Sequence, residues 1–378
     1  MCVLVLIFMA LNGIILSSVG PNPLVLADHP AVRQLYSAVF PYECRNWSSS
    51  SRRLVPHPNI DTASKRILNL VFHIDPRPVD QGGNIFEADW IELVLLGAID
   101  RPLRILRWDG VFRNDSVHVI FGHPPDDLFF RMRRAGIRNF GSVQMADELM
   151  VENTSFYADC DFTFRFYWNA AHRGSPHNVH YVPLGVKSGF GAIPPRTHIP
   201  ASRRRYLCGF VGSLRGSRAH ALSQVWFRRA DCVISADLGW ADPAGLQTVE
   251  YRHLLRDTAF TLAPFGGNEE SLRFYEALEA GSVPIAQASA AAWGDFIADG
   301  VGGAGAGADP SPPPPPIPRV AEWCQANEIM AYYAARPAEL DALQASVGAW
   351  WAARRAAVQH TVRRVLDESF AQAHGAGA

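Results

Sequence analysis

The chain has 378 residues, 48% of them hydrophobic and 19% charged, which allows two or three domains with ordinary cores and excludes an intrinsically disordered chain. Its formal net charge of −1, without a dominant basic block, argues against nucleic acid as a partner. Six cysteines are too few for a disulfide scaffold but leave room for one or two bridges.

The first twenty residues, MCVLVLIFMALNGIILSSVG, carry no charged side chain, and the first one after them is Asp28. A run of about 18 apolar residues lies on the border between a signal peptide and a membrane span. Residues 1–20 are therefore expected to act as a signal-anchor or a cleaved signal, with a buried first helix or a misplaced start as the alternative. Asn46-Trp-Ser48, Asn114-Asp-Ser116 and Asn153-Thr-Ser155 fit N-glycan acceptors and agree with a luminal protein, although such triplets are common by chance. Residues 21–65, polar and containing SSSSRR, read as a stem or irregular lead-in.

From Arg66 the pattern changes. RILNLVFHID, LRILRWDG, VHVIFGHPPDD, NFGSVQMADE, DFTFRFYW and NVHYVPLG are short apolar runs ending at polar or Gly/Pro turns. The helical patterns FEADWIELVLLGAID and DDLFFRMRRAG lie between some of them. This alternation predicts a Rossmann-like domain with a parallel sheet over 66–195. IPPRTHIPASRRR (193–205) reads as a connector, and a second series follows over 205–300. There YLCGFVGS, DCVISADLG, FTLAPFGGN and SVPIAQ are strands, and SRAHALSQVWFRRA, TVEYRHLLRDT and the run after Asn268 are helices. VGGAGAGADPSPPPPPIP (301–318) is a low-complexity surface loop. Residues 319–378 are read as helical from RVAEWC onward, with Trp350 and Trp351 packing back on the body. The expected architecture is α/β: two Rossmann-like domains facing a cleft, plus a C-terminal helical segment.

In such domains ligands bind beyond the carboxyl ends of the strands. CGFVGSLRGSR (208–218) offers Gly212, Ser213 and Gly216 for a close turn, with Arg215 and Arg218 ahead of a helix. Backbone N–H groups, a helix N-terminus and arginine forks suit a phosphate. The run lacks both the dinucleotide fingerprint and a Walker lysine, and a turn with two solvated arginines is the plain alternative. In NEESLRFYEALEAGSVPI (268–285), Asn268 is the expected N-cap, with Glu269 and Glu270 in the first turn. Phe274, Ala277, Leu278 and Gly281 share a sheet-packing face. Arg273 and Glu276, three apart, form another stripe: either an intrahelical salt bridge, or an arginine for a diphosphate beside a carboxylate for two ribose hydroxyls.

The run FTLAPFGGNEESLRFYEALEAGSVPI resembles the C-terminal signature of exostosin-like glycosyltransferases, with a Pro-ended strand, a Gly-containing loop, S-x-R, F-x-E-A and a Gly-x-x-Pro strand start. ADELMVENTSFYADCDFTFRFYW and NVHYVPLGVKSGF are similar to that family's N-terminal-domain blocks, particularly in the ribitol xylosyltransferase branch, and RRYLCGFVGSLRGSR to its FxG…R loop. The chain departs from the family at Ser282, where a cysteine is usual, and in the polyproline insertion and the short N-terminal domain. The resemblance implies a GT-B fold and inverting transfer of a sugar from a nucleotide-diphosphate donor, usually UDP-linked, in the Golgi or endoplasmic reticulum. Arg273 would contact the diphosphate and Glu276 the ribose, with Gly212, Ser213, Arg215 and Arg218 lining the donor pocket. Removing Arg273 would then cost donor binding and leave the thermal melt nearly unchanged.

Inversion needs a base near the acceptor hydroxyl, across the cleft from the donor. Asp147 and Glu148, ending a predicted strand, are the first candidates; His123 and Asp109 are next. A capping or loop-stabilising role is the alternative for each. Arg165 in FTFRFYW would touch a substrate phosphate or form a buried ion pair. Asp159-Cys160-Asp161 spells the divalent-metal D-x-D of the other major glycosyltransferase fold, but no sign of that fold surrounds it. No cofactor or metal is expected, Arg273 and helix dipoles taking the cation's place. Cys160, Cys208, Cys232 and Cys324 read as core or bridged residues. The expected partners are a nucleotide-sugar donor, a glycan or glycoconjugate acceptor, the membrane through residues 1–20, and further copies or subunits in an oligomer. The rival reading is a catalytically inactive nucleotide-sugar-binding subunit of a glycosyltransferase complex.

Overall fold

The structure, a computed structural model, describes residues 67–73, 87–122, 124, 127–172, 178–214, 217–226, 231–237, 246–288 and 315–371. The apolar segment 1–20, the lead-in 21–65 with its Asn46 triplet, His123, Arg215, Gly216 and most of 301–318 lie outside the described residues.

Strands β1 (Leu68–Phe72), β2 (Leu103–Arg107), β3 (Ser116–Phe121), β4 (Phe140–Met145), β5 (Thr163–Arg165) and β6 (Val179–Tyr181) form one sheet in the order β2-β1-β3-β4-β5-β6. Strands β7 (Tyr206–Ser213), β8 (Cys232–Asp237), β9 (Thr258–Ala263), β10 (Val283–Gln287) and β11 (Arg319–Val320) form a second in the order β11-β10-β9-β7-β8. Every pair is parallel. The central strands read as near-continuous apolar runs because helices cover both faces, and all six residues of β4 and of β9 are buried. This is the architecture of two parallel α/β sheets that the sequence leads one to expect. The helices are α1 (Ala88–Val94), α2 (Leu128–Arg134), α3 (Arg218–Trp226), α4 (Thr248–Arg256), α5 (Leu272–Glu279), α6 (Gln325–Ala334) and α7 (Pro337–Ala371).

Within its own half, each sheet begins with the order 2-1-3-4-5. The chain thus reverses direction between β1 and β3 in the first sheet and between β7 and β9 in the second. Beyond the carboxyl ends of such switch points, helices diverge and leave a crevice.

The segment after β6 ties the halves together. On one side Trp90 of α1 donates its indole N–H to the Pro183 carbonyl at 2.6 Å, and Asp89 accepts from the Gly191 amide at 2.6 Å. Gly185 is left-handed at φ +73°, and a Cβ there would overlap the Trp90 ring. On the other side, three carboxylates of the α5 region accept the amides of Leu184, Lys187 and Ile193, at 2.7, 3.2 and 2.9 Å from Glu270, Glu276 and Glu279. Helix α7 then crosses both halves. Its Trp351 donates to Glu279 at 2.8 Å and stacks on Trp90 at 5.4 Å, while Arg355 pairs with Glu279 at 3.0 Å. Further along, Gln359 reaches the Leu93 carbonyl and Asp367 pairs with Arg101. Trp350 and Trp351 are both buried, as expected.

Two sequence expectations change, at α5 and at β11, and the core-or-bridged reading of the cysteines resolves into one of each. Helix α5 starts after Ser271, which occupies the N-cap, so Asn268 does not cap it and Glu270 is no first-turn acid. The physical reason is that Glu270 is drawn inward to the connector amides. Arg319–Val320, read as the start of a helix, instead adds β11 beside β10. Cys208 and Cys232, partners in register on β7 and β8, form a disulfide, whereas Cys160 is a buried free thiol.

Glu87, just before α1, is almost fully buried, and burial pushes its carboxyl from the ordinary 4.5 up to about 8, with Tyr167 nearby. A folded-state value above the unfolded one means that protonation favours the fold. The contribution is complete below about 4.5 and is lost as pH rises through about 8. Urea unfolding between pH 5 and 8.5 should show stability falling with pH by a few kcal/mol in total. In Glu87→Gln most of that slope should vanish, and the variant should be the more stable protein at pH 8.5.

Candidate functional site

The second sheet's switch point gathers the predicted donor residues. β7 runs Phe210-Val211-Gly212-Ser213 to its carboxyl end, and Arg273 reaches it from the first turn of α5. Arg273 Nε donates to the Val211 carbonyl at 2.7 Å, and the guanidinium lies over the Phe210 ring, 4.2 Å from its centroid. Gly212 has φ +136°, and a Cβ there would overlap Arg273 Nη2. Glycine is therefore required twice over, by its dihedral and by the side chain resting on it.

Arg218 opens α3 beside this arrangement. Its Nε donates to the Phe265 carbonyl at 3.0 Å, and its Nη1 reaches both the Ser213 carbonyl and Oγ at 3.3 Å. A Cβ at Gly266 would stand 2.5 Å from Arg218 Nη2, so the Gly266-Gly267 loop after β9 is also shaped by an arginine. Burial, with Arg273 close by, holds the Arg218 guanidinium down at about 10. Gly212, Ser213, Arg218 and Arg273 thus converge where an anion would sit. Arg273 is itself buried, and losing its bond to Val211 would cost about 1–3 kcal/mol. Contrary to the expectation above, its removal should lower the melt as well as donor binding.

Glu276 faces differently from what was expected. It is buried, holds the Lys187 amide at 3.2 Å and interacts with the Tyr251 hydroxyl, and burial pushes its carboxyl up. Its observed partners are thus the connector and α4.

From the first sheet, Asp147 and Glu148 follow β4 and part company. Ala146 adopts φ +64°, a left-handed turn that costs roughly 1–2 kcal/mol outside glycine. Asp147 turns inward: one oxygen pairs with Arg165 Nη2 at 2.5 Å, and the other accepts the Val151 and Glu152 amides at 3.0 and 3.2 Å. Both groups are 2% exposed, and Arg165 also donates to Gln144, to the Tyr157 hydroxyl and to the Tyr167 carbonyl. A carboxylate with both oxygens occupied in a buried ion pair is fitted to hold the loop, and it replaces the expected base at Asp147. Glu148 instead points out across the cleft. Its Oε1 accepts the Gly267 amide at 3.1 Å, and its carbonyl accepts from Asn268 Nδ2 at 2.9 Å.

The remaining candidates lie elsewhere. Asp109 is paired with Arg113 at 2.6 Å on an exposed loop. Asp161 accepts from Arg133 at 2.5 Å and from the Phe140 amide at 2.9 Å, while the Asp159 carbonyl accepts from Arg133 Nε at 2.6 Å. That places the D-x-D triplet at the amino end of β5, away from the cleft.

Two features escaped the sequence reading. Glu270 accepts from the Tyr181 and Tyr275 hydroxyls and from the Leu184 amide at 2.7 Å each, and from the Trp168 amide at 3.1 Å, clamping the halves beside the site. At the first sheet's switch point, His73 Nε2 lies 2.9 Å from His118 Nδ1, and His118 Nε2 lies 3.1 Å from Ser116 Oγ. Ser116 gives its proton to the Arg113 carbonyl at 2.8 Å, which makes His118 Nε2 the donor to Ser116 and His73 Nε2 the donor to His118. Burial holds His73 down at about 4 and His118 at about 3, so both are neutral at pH 7. The polar end of an otherwise apolar strand run, NLVFH, is the signal that would have flagged His73.

Residues 188–298 match the family model of the RXYLT1 C-terminal domain. The ribitol-5-phosphate xylosyltransferase 1 of Danio rerio is 32% identical over 113 residues, and that of Homo sapiens 30% identical over 117. These alignments cover 28% and 29% of this chain and 26% of each relative, so the chain spans about a quarter of the length of the curated relatives it matches. Among solved structures, an α1,3-fucosyltransferase aligns with a TM-score of 0.45 at 10% identity, covering 82% of this chain and 92% of that one. A UDP-forming α,α-trehalose-phosphate synthase from Burkholderia xenovorans aligns at 0.42 and 11%, covering 82% and 99%. The resemblance to the ribitol xylosyltransferase branch of the exostosin-like family, read from the motifs, is supported over the half that carries Arg218 and Arg273.

Gly212→Ala should push the Arg273 guanidinium off β7. Binding of UDP, measured by calorimetry, should weaken by tenfold or more, since each ~1.4 kcal/mol is tenfold. Unchanged UDP affinity would show that this contact has no part in anion binding.

Proposed function

We propose that the chain is an inverting glycosyltransferase that moves a sugar from a nucleotide-diphosphate donor, UDP-linked, to a hydroxyl of a glycan or glycoconjugate. The observation that carries this reading is the convergence of Arg218 and Arg273 at the second switch point, opposite a carboxylate delivered by the first sheet. The relatives' name directs the choice of substrates to UDP-xylose as donor and a ribitol phosphate as acceptor.

In this reading the diphosphate lies against Arg218, Arg273 and the Gly212-Ser213 turn. Glu148 takes the proton from the acceptor hydroxyl, whose oxygen attacks the anomeric carbon from the face opposite the leaving group. The bond to the diphosphate breaks, and its electron pair departs with UDP. Two guanidiniums and the start of α3 stabilise that developing charge, the work a divalent cation does elsewhere. The Cys208–Cys232 disulfide fits an oxidising compartment such as the lumen of the Golgi or endoplasmic reticulum, with residues 1–20 as the membrane anchor.

The test is release of UDP from a panel of UDP-sugars, including UDP-xylose with a ribitol phosphate acceptor. Turnover is expected on one donor, with Arg218→Ala raising its Kd by about 10- to 100-fold and Glu148→Gln lowering kcat by about 10²- to 10⁴-fold. Donor binding without turnover of any sugar would instead favour the inactive nucleotide-sugar-binding subunit, a reading that the occupied Asp147 carboxylate also suits. Turnover should persist at full rate in excess EDTA, and loss of rate restored by a divalent cation would refute the metal-free arrangement.

A further inference from the structure

The Glu148 carboxylate is the feature of the cleft that the reading above leaves oddly placed. It is an exposed side chain of the first half, yet its Oε1 is held 3.1 Å from the Gly267 amide of the second half. A Cβ built on Gly266 would stand between its two charged neighbours, 2.5 Å from Arg218 Nη2 and 3.4 Å from Glu148 Oε1. A backbone N–H with no strand partner, a guanidinium edge and a loop of two glycines make an anion cradle, and a carboxylate from across the cleft now lies in it.

The electrostatics agree with that geometry. Arg218 is pressed by burial and by the charge of Arg273, and Glu148 supplies the favourable opposing charge. Two like charges a few ångströms apart in a partly buried crevice repel by several kcal/mol at an effective dielectric near 20. A lone anion at this point is therefore attracted strongly, and two anions there repel equally strongly.

We infer that Glu148, held by the Gly267 amide, occupies the subsite of one donor phosphate within the field of Arg218, and that the incoming diphosphate displaces the carboxylate into the cleft. This inference rests on the reading of the site as a nucleotide-diphosphate pocket. It adds a phosphate subsite at Gly266-Gly267, and it fixes an order: the base is released toward the acceptor only when the donor is in place. Without donor, the Glu148 carboxylate stays on the Gly267 amide and is not free to meet the acceptor hydroxyl, so the acceptor side stays inert.

The decisive variant is Glu148→Gln. Glutamine keeps the size, can still accept from Gly267 through its oxygen, and leaves the Asn268 bond to the backbone carbonyl intact. Only the competing charge is removed. Calorimetric titration with UDP, and separately with inorganic pyrophosphate, should show Glu148→Gln binding both about tenfold more tightly than the wild type, while the same variant has lost turnover. Gly267→Pro, which deletes the amide donor, should weaken both ligands in the Glu148→Gln background, and circular dichroism establishes whether that double variant is folded. Should the loop not tolerate proline, Arg218→Ala in the Glu148→Gln background serves in its place, and the tightening should then disappear. Equal or weaker UDP binding by Glu148→Gln, with the wild type binding UDP in an Arg273-dependent way, would overturn the displacement and leave the donor pocket standing. If neither protein binds UDP or pyrophosphate, the reading of the pocket falls, and this inference with it.

Discussion

The grip of three glutamates on one stretch of backbone is the constraint from which the rest of the molecule follows. Between β6 and the second sheet the chain must cross from one half to the other, and its amides there have no strand to pair with. Buried amides left without acceptors would each cost on the order of 1–3 kcal/mol. Glu270, Glu276 and Glu279 supply those acceptors to Leu184, Lys187 and Ile193. Burial pushes the Glu270 and Glu276 carboxyls up, and the hydrogen bonds they accept from the connector work against that push. Carboxylates in such a place need compensation themselves: Glu279 has Arg355 and the Trp351 indole, and Glu270 has two tyrosine hydroxyls besides.

This has a consequence for the site, since the helix that grips the connector also carries Arg273. A shift of α5 that moved the guanidinium off Val211 and Gly212 would have to break bonds to the connector and, through Glu279, to α7. Trp90 presses the same connector from the first half, with Gly185 leaving no room for slack. The position of Arg273 relative to Glu148 is thus set by packing and by buried charge on both sides of the crossing, and the loops at the cleft need not supply it. Preorganisation of that sort favours a site that must place two cations together, because the repulsion between Arg218 and Arg273 is met by fixed acceptors: Val211 for one, Phe265 and Ser213 for the other.

The parts legible in the sequence were those written as local patterns. Strand-length apolar runs and their Gly/Pro stops placed both sheets, and the glycine before Ser213 and the arginine in SLRF marked two residues that meet at the carboxyl end of β7. What misled was charge at helix ends. Glu270 beside an Asn looks like a capped first turn, because spacing alone cannot tell a carboxylate facing water from one facing amides 86 residues away. The same limit applies to Asp147 and Glu148, adjacent in sequence, of which one lies in a buried ion pair and the other reaches, exposed, across the cleft. Their different fates depend on Arg165, which the sequence left between a substrate phosphate and a buried ion pair, and which takes the ion pair. β11 was illegible for another reason: two residues beyond a low-complexity stretch carry no period at all, and only pairing with β10 makes them a strand.

The repeated strand order places the two switch points on corresponding strands of the two halves, and they are filled by opposite chemistry. The second holds two guanidiniums that stay charged. The first holds a histidine pair kept neutral by burial, with Trp108 stacked on His73 at 5.0 Å. The hydrogen-bond direction imposed by Ser116 leaves His73 Nδ1 as a buried acceptor without a hydrogen-bond partner among the described residues. Glu148 crosses from the first half to the second, and its place on the Gly267 amide matters more than its nominal strand end would suggest.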